Sequence, residues 1–397
     1  MGWSSWYGFT SNIDEGLLLG IGEGFVAPRT LKNGSTVTLQ QFGWRHVWVD
    51  DGYALPRDNV TQKVVVDPLA FPRGFRFISD ALHAQGNLFG IYTSRGPLTC
   101  LGYAAGQPKR PGSCGYEGID AQTYALDWNV DQVKDDGCGS CPQHDPFAAM
   151  RDALNRTGRH IYFNIHGDTT PGSDNGTVAN SWRTGGDLYA SDFGMWTNRL
   201  DLATADTQRV LAGPGSLPDP DFLEVGYSPR APAGRTQTAL EQRSMFTMWA
   251  ALPTSLILSA DVRVGSVCGG SSACIDADAL ETLTNEEVIA VNQDELVAPM
   301  RAVLNESGLQ VWLKPLAQPA SQCVVLFHRG NETGPLPSPP EVRQISVGWD
   351  ALGYAAGASV RVRDLWGRAE LGVFSGNFSQ NVTQRDARMY LFTLLNN

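Results

Sequence analysis

The chain has 397 residues, only 18% of them are charged, and its formal net charge is −11. A nucleic-acid partner requires a basic face for its phosphates, so this charge balance argues against one. No stretch approaches the roughly 18 consecutive apolar residues of a membrane span, and none is expected. The length supports a large buried core and about one to three domains.

Asparagine sequons indicate the compartment in which the protein works. Eight Asn-x-Ser/Thr sites predict N-linked glycans and a eukaryotic protein of the secretory pathway, either secreted or delivered to a lysosome or vacuole. These sites are Asn33, Asn59, Asn155, Asn175, Asn305, Asn331, Asn377 and Asn381.

The seven cysteines agree with an oxidising compartment. Cys268 and Cys274 bracket a short loop that a disulfide bond could close, and the odd count leaves one cysteine unpaired. Cys323 is the candidate for a buried free thiol, because it begins an apolar run. Cys138 and Cys141 have C-x-x-C spacing, but no second pair of this kind follows, so neither a metal nor a cofactor is predicted.

Short apolar segments alternate with helix-length segments over the first part of the chain. Helical periodicity falls on Pro72–Gln85, Asp145–Arg156 and Leu240–Leu252. Eight such units over about 290 residues predict a (β/α)₈ TIM barrel in residues 1–297. The predicted strands are Met1–Trp6, His46–Gly52, Leu88–Tyr92, a segment within 129–138, His160–His166, a segment near Asp187, Val210–Pro214 and Ser255–Asp261.

The pattern changes after residue 297, where alternating strands separated by Gly, Pro and Asn turns replace the helical segments. This pattern predicts an antiparallel β-sandwich in residues 298–397, so the expected fold class is a barrel followed by a sandwich. The predicted strands are Leu309–Leu313, Cys323–Phe327, Val342–Val347, Ser359–Val362 and Met389–Leu395.

The fourth predicted strand ends in charge, at Lys134 and Asp136, followed by Gly137. Strand alternation puts Lys134 and Asp136 on one face and Asp135 on the other. In parallel α/β folds the carboxyl ends of the strands carry the chemistry. Acidic or aromatic residues also follow most of the other predicted strands, which indicates a polar site at one rim of the barrel. They include Trp6, Asp50, Asp51, Tyr92, Asp187 and Asp221.

Several motifs along the chain occur together in one known family. They run in order from Met1–Trp6 and Val49–Asp51 through Gly112–Glu117 and Lys134–Cys138 to Asp219–Asp221. In these motifs the chain resembles the α-galactosidases and α-N-acetylgalactosaminidases of glycoside hydrolase family 27, in clan D. The resemblance covers essentially the whole chain and is densest between residues 90 and 138.

The resemblance implies a retaining exo-α-glycosidase that acts on terminal α-D-galactosides of oligosaccharides or glycoconjugates. Asp136 falls on the family's nucleophile and Asp187 on its general acid/base, while Cys100 and Cys138 fall on a disulfide bond. A retaining glycosidase needs two carboxyl groups about 5 Å apart, one ionised and one protonated. Lys134 would lower the pKa of Asp136. The sugar-contact positions are Trp6, Asp50, Asp51, Tyr92, Lys134, Arg183 and Asp221.

The chain departs from the family at several positions. Asp135 replaces an aromatic residue, and it would point toward the helix layer and need a partner there. Two family disulfides lack both halves: Ser11 and Gly52 replace one pair, and His166 and Ala179 replace the other. The loss of both members of each pair agrees with the alignment.

The stretch after the fifth strand bears on specificity. The acidic residue with which the family reads the sugar's 2-hydroxyl falls on Gly167, and Asp168 beside it is predicted to bind substrate instead. The alternatives are therefore an α-N-acetylgalactosaminidase, an enzyme for a pyranoside that differs at C5 or C6, or a carbohydrate-binding homologue without turnover. The aglycone and the oligomeric state are not predicted.

Overall fold

The computed structural model describes residues 1–142, 145–167, 175–188, 192–226, 237–268 and 274–395. The chain forms two compact units. The first comprises Met1–Arg183 and Ile257–Asp276, and the second comprises Thr184–Leu256 and Ala277–Asn397. The domain boundary between residues 297 and 298 remains a prediction. Among the described helices, none has the length and apolarity to cross a membrane.

A parallel sheet forms the centre of the first unit. Its strand order follows the chain, except that the last strand, Ile257–Leu258, pairs with the first, Gly2–Ser4. In a (β/α)₈ barrel the last strand likewise pairs with the first. The intervening strands are His46–Trp48, Leu88–Ser94, Gln132–Asp136, Tyr162–His166 and Ser181–Arg183.

Two of the longer helices of the first unit begin at an N-cap aspartate. Asp14 and Asp145 accept backbone N–H groups at the starts of Glu15–Val26 and Pro146–Arg156, as N-cap carboxylates do. The helix Gly74–Ala84 coincides closely with the periodicity predicted for 72–85. The remaining helical segments are Trp6–Phe9, Gln40–Phe42, Cys100–Tyr103, Glu117–Gln122, Thr123–Asp127, Asn175–Val178 and Ser266–Cys268. The unit also contains two short antiparallel strand pairs, Arg29–Thr30 with Thr36–Val37 and Ala54–Leu55 with Val65–Val66.

The second unit combines helices with an antiparallel β-sandwich. Ala239–Ala251 is its longest described helix, and a capping box of Thr238 and Glu241 starts it. The other helices are Phe193–Thr204, Asp206–Arg209, Ala277–Leu283, Glu286–Asn292 and Trp349–Leu352. The described strands of the larger sheet, in spatial order, are Arg301–Glu306, Leu309–Pro315, Ser321–His328, Ala387–Leu394, Ser359–Asp364 and Ala369–Ser375. The smaller sheet pairs Val342–Gly348 with Asn377–Thr383.

The seventh strand was predicted in the wrong place. The structure has a strand at Leu217–Asp219, which belongs to the second unit, rather than at Val210–Pro214. Val210 is 73% exposed and follows the helical turn Asp206–Arg209, so its apolar side chain does not mark a buried strand. A tight turn, in which Gly213 and Ser216 exchange backbone hydrogen bonds, separates the helical segment Asp206–Arg209 from the strand Leu217–Asp219.

Three sandwich strands were missed, and their exposure explains why. Arg301–Glu306 and Ala369–Ser375 lie at the two ends of the larger sheet and have exposed side chains on both faces. Such strands lack the alternation of apolar and polar residues on which the prediction depends. Asn377–Thr383 buries only Phe378 and Val382.

Six of the seven cysteines form disulfide bonds, which agrees with the oxidising compartment. Cys100 is bonded to Cys138, as the resemblance implies, and Cys268 is bonded to Cys274. A third bond joins Cys114 to Cys141, which the sequence left unassigned. A Cβ at Gly52 would be 3.1 Å from the Ser11 Cβ, so Gly52 lies against Ser11. The resemblance implies that these two positions replace one disulfide bond.

Cys323 is expected to resist alkylation in the folded protein. It is a free, buried cysteine, and burial raises the pKa of its thiol to about 12, which leaves almost no reactive thiolate at neutral pH. Iodoacetamide without reductant should therefore add nothing to the native protein and one group after unfolding, as measured by intact mass spectrometry. An adduct on the native protein would contradict this assignment.

Candidate active site

Asp136 ends the central strand Gln132–Asp136, and the pairing of this strand determines its neighbours. In the parallel register Lys134 pairs with Tyr92 on one side, and Asp136 pairs with His166 on the other. Alternate residues of a strand face the same way, so Lys134 and Asp136 share a face while Asp135 faces the opposite layer. Tyr92 and His166 therefore lie on the two strands that flank Lys134 and Asp136.

Hydrogen bonds engage both oxygens of the Asp136 carboxylate. The Tyr92 hydroxyl donates to Oδ2 at 2.9 Å, and the backbone N–H of Gly137 donates to Oδ1 at 2.7 Å. Nδ1 of His166 lies 3.2 Å from Oδ1. Together these groups restrict the orientation of the carboxylate and satisfy its negative charge.

The surroundings favour the ionised form of Asp136. Burial by itself raises the pKa of this carboxyl, but the hydrogen bond from His166 and the positive charge of Lys134 outweigh that effect. The pKa of Asp136 therefore lies well below its usual range. A carboxylate that stays ionised in mild acid can act as a nucleophile there.

Lys134 forms a buried ion pair with Asp50. Its Nζ lies 2.7 Å from Oδ2 of Asp50, and both side chains are less than a tenth exposed. Nζ also lies 5.1 Å from the centre of the Tyr92 ring. Lys134 thus acts on two carboxylates, through a hydrogen bond to Asp50 and through its charge near Asp136.

Asp51 is a buried carboxyl with one free oxygen. Its Oδ2 accepts the Leu101 N–H at 2.8 Å, whereas Oδ1 has no hydrogen-bond partner among the described residues. Burial raises the pKa of Asp51 to about 6, with a further contribution from the charge of Asp50. The unsatisfied oxygen is suited to a hydroxyl group of a ligand, because a buried polar atom without a partner costs free energy.

Asp135 differs from the expectation that it would find a partner in the helix layer. The side chain is buried, but neither of its oxygens has a hydrogen-bond partner among the described residues. Burial raises the pKa of Asp135 well above its usual value, and the negative charges of Asp136 and Glu117 add to this effect. Burial of Asp135 therefore favours its protonated form.

The described residues offer one grouping of potential metal ligands, formed by Cys100, Asp136 and Cys138. Cys100 and Cys138 are joined in a disulfide bond, so neither provides a thiolate. The grouping is therefore a carboxylate beside a disulfide bond, which does not fit the ligand sets of structural metal sites.

Asp221, in the second unit, has a strained backbone. Its φ angle is 100°, a conformation that residues with a side chain rarely adopt. The carboxylate of Asp219 accepts the Asp221 N–H at 2.8 Å, and Trp249 Nε1 donates to the Asp221 carbonyl at 2.8 Å. Backbone strain of this kind persists only where surrounding contacts hold the residue in place, and it is concentrated at functional sites.

Asp221 also holds the segment that carries Asp187. Its Oδ2 accepts the N–H of Leu188, the residue after Asp187, at 2.8 Å. Arg199 donates to the Gly186 carbonyl at 2.5 Å on the other side of Asp187. The backbone around the predicted acid/base is thus anchored at both neighbouring residues.

The remaining predicted residues are placed as follows. Trp6 begins a short helix just after the first strand and is partly buried, and Arg183 ends the strand Ser181–Arg183 with 5% of its surface exposed. Asp168 lies outside the described residues. A Cβ at Gly167 would lie 3.1 Å from the Phe147 ring, so this ring occupies the direction of a side chain at position 167.

Comparisons with known proteins place this arrangement in a family. Residues 1–294 match the family described as "Alpha galactosidase A", and residues 306–392 match "Alpha galactosidase C-terminal beta sandwich domain". The chain belongs to this family. Membership makes it a glycoside hydrolase and confirms the resemblance found in the sequence.

Individual members of the alpha galactosidase A family resemble the chain over nearly its whole length. The alpha-galactosidase of Oryza sativa subsp. japonica is 31% identical, over 99% of this chain and 84% of that protein. Alpha-galactosidase 3 of Arabidopsis thaliana is 33% identical, over 99% and 81%. The crystal structure of alpha-galactosidase I from Mortierella vinacea has 29% identity and a TM-score of 0.82, over 99% and 96%. The predicted fold class, a TIM barrel with a C-terminal β-sandwich, is confirmed.

Proposed function

We propose that the chain is a retaining exo-α-glycosidase that hydrolyses terminal α-D-galactosides by double displacement. In this mechanism Asp136 attacks the anomeric carbon while Asp187 protonates the leaving oxygen. Water, activated by the ionised Asp187, then hydrolyses the covalent glycosyl-enzyme. The substrate class is proposed from the names of the relatives, which are α-galactosidases.

One observation carries the proposal: a carboxylate at a barrel-strand end that is kept ionised and aligned. Tyr92, Gly137 and His166 engage the two oxygens of Asp136, and its pKa is low. A nucleophilic carboxylate must be ionised and must attack along a defined direction, so these contacts suit that role. Turnover separates this proposal from the alternative of a binding protein, because an ionised carboxylate can also accept hydrogen bonds from sugar hydroxyls.

The other predicted residues are assigned to sugar binding. Asp50 and Asp51 offer carboxylate oxygens to hydroxyl groups, with the unsatisfied Oδ1 of Asp51 as the clearest example. Trp6 is proposed as an apolar wall for the sugar ring. The remaining residues in this assignment are Tyr92, Lys134, Arg183, Asp221 and, at C2, Asp168.

Retention can be tested directly. With 4-nitrophenyl α-D-galactopyranoside as substrate, ¹H NMR of the first product released should show the α-anomer before mutarotation produces the β-anomer. Double displacement inverts the anomeric carbon twice, so the product keeps the configuration of the substrate. A β-anomer as first product would exclude the mechanism. The absence of any turnover would exclude the activity.

Specificity at C2 is predicted to depend on Asp168. If its carboxylate accepts the sugar's 2-hydroxyl, Asp168→Ala leaves that hydroxyl without a partner, and kcat/KM for the galactoside should fall roughly tenfold. The kcat/KM values for α-galactoside and α-N-acetylgalactosaminide, measured side by side, check this. Since the N-acetyl substrate lacks the hydroxyl, it serves as the internal control. An unchanged ratio would remove Asp168 from the C2 subsite.

The compartment is proposed from two features of the chain. The disulfide bonds fit an oxidising environment, and the eight sequons fit N-glycosylation, so we infer a secreted or a lysosomal or vacuolar enzyme. Treatment with an endoglycosidase should increase the electrophoretic mobility of protein purified from the native source.

A further inference from the structure

His166 lies beside Asp136 because of the strand register. The two residues end neighbouring parallel strands and are directly paired, so their side chains project from the same face. Nδ1 of His166 is 3.2 Å from Oδ1 of Asp136. The position is one where the family's disulfide is missing, and a cysteine paired in that bond could not offer a donor to the neighbouring carboxylate.

We propose that His166 is a positioning residue whose Nδ1–H donates to Asp136 and keeps this carboxylate ionised and oriented for attack. The inference rests on the proposed nucleophilic role of Asp136. An ionised carboxylate only accepts hydrogen bonds, so the hydrogen in this contact is carried by Nδ1. With Gly137 on the same oxygen and Tyr92 on the other, three donors define the plane of the carboxylate.

The charged groups of the first unit near Asp136 and His166 explain why the hydrogen bond from His166 is important for the ionisation of Asp136. Lys134 is the positive charge on the same strand as Asp136. Its Nζ donates a hydrogen bond to Asp50 at 2.7 Å, so the positive charge of Lys134 acts on Asp50 as well as on Asp136. Asp51, beside Asp50, adds negative charge to the same region when it is ionised. Burial raises the pKa of Asp136. Among the influences that lower it, the His166 hydrogen bond is the largest, ahead of the Lys134 charge.

Two substitutions separate the hydrogen bond from the bulk of the side chain. His166→Phe keeps a ring of similar size without a donor, and His166→Asn keeps an N–H close to the position of Nδ1. We expect the acid limb of the kcat/KM profile on 4-nitrophenyl α-galactoside to rise by about one pH unit in His166→Phe and by less in His166→Asn. A side chain that only fills space would lower kcat/KM at every pH without moving the limb. An unmoved limb in His166→Phe would overturn the proposal.

A second measurement does not depend on activity. The chain has six histidines, so long-range ¹H–¹⁵N correlation spectra of ¹⁵N-histidine-labelled protein can be assigned by comparison with His166→Asn. At a pH where the imidazole is neutral, we expect His166 to carry its hydrogen on Nδ1 and to lose this preference in Asp136→Asn. A bare Nδ1 in the wild type would overturn the proposal. If the wild type hydrolyses no α-galactoside, the proposed function fails, and the spectrum still decides whether this hydrogen bond exists.

Discussion

Asp136→Asn is expected to reduce kcat for α-galactoside hydrolysis by at least about 10⁴-fold, because the amide cannot form the covalent intermediate. The fold should survive, since an asparagine oxygen can still accept the hydrogen bond from Tyr92, and the circular dichroism spectrum should be unchanged. Steady-state kinetics at the pH optimum of the wild type provide the measurement. Azide added to Asp136→Gly should restore turnover and give a β-galactosyl azide, because azide enters from the side that the carboxylate has vacated.

Asp135→Asn is the matched control for this experiment. It makes the same chemical change one residue away, on the opposite face of the same strand. Because Asp135 is buried on the opposite face from Asp136, in surroundings that raise its pKa, we expect its replacement to leave kcat within about tenfold of the wild type. An inactive Asp135→Asn together with an active Asp136→Asn would mean that the two carboxyl groups have exchanged roles.

Asp135 should also make the stability of the protein depend on pH. Its pKa in the folded state lies well above the value of about 3.9 in the unfolded chain, so the folded state binds this proton more tightly. The resulting stability is complete below pH 4 and is lost as the pH rises toward the folded pKa, at up to about 1.4 kcal/mol per pH unit. Asp135→Asn removes this dependence.

The melting temperatures of wild type and Asp135→Asn between pH 4 and pH 8 test this expectation. The difference in their stability should shift in favour of the variant as the pH rises. Asp152→Asn, a change to an exposed carboxylate on the helix Pro146–Arg156, should show a nearly constant difference from the wild type. If the Asp135→Asn difference is as constant as that control, Asp135 is not held protonated in the folded protein.

The sequence predicted those features of the site that follow from strand alternation. Lys134 and Asp136 occupy one face and Asp135 the other, which required only that residues 132–136 form a strand. Asp50 and Asp51 likewise follow the strand His46–Trp48, as the sequence indicates. These features are local, so the order of residues is enough to define them.

Features that depend on the pairing between distant segments were not predictable in the same way. The contact of His166 with Asp136 depends on a register that joins residues 30 positions apart. In the sequence His166 stood out as a replacement for a family cysteine, and nothing there indicated this contact. The φ angle of Asp221 depends on hydrogen bonds from Asp219 and Trp249. The burial of Asp135 without a partner ran against the rule that buried polar groups are hydrogen-bonded.

The pairing of the first strand with the last has a consequence for folding. Gly2 is paired with Ile257, and Trp3 donates a hydrogen bond to the Ala260 carbonyl, so these contacts join residues more than 250 positions apart. Contacts of such large sequence separation raise the contact order and slow folding. During synthesis one edge of the strand Gly2–Ser4 stays unpaired until the ribosome has made the strand Ile257–Leu258. The nascent chain therefore exposes an open sheet edge for most of its synthesis, which is the period in which a chaperone would protect it from aggregation.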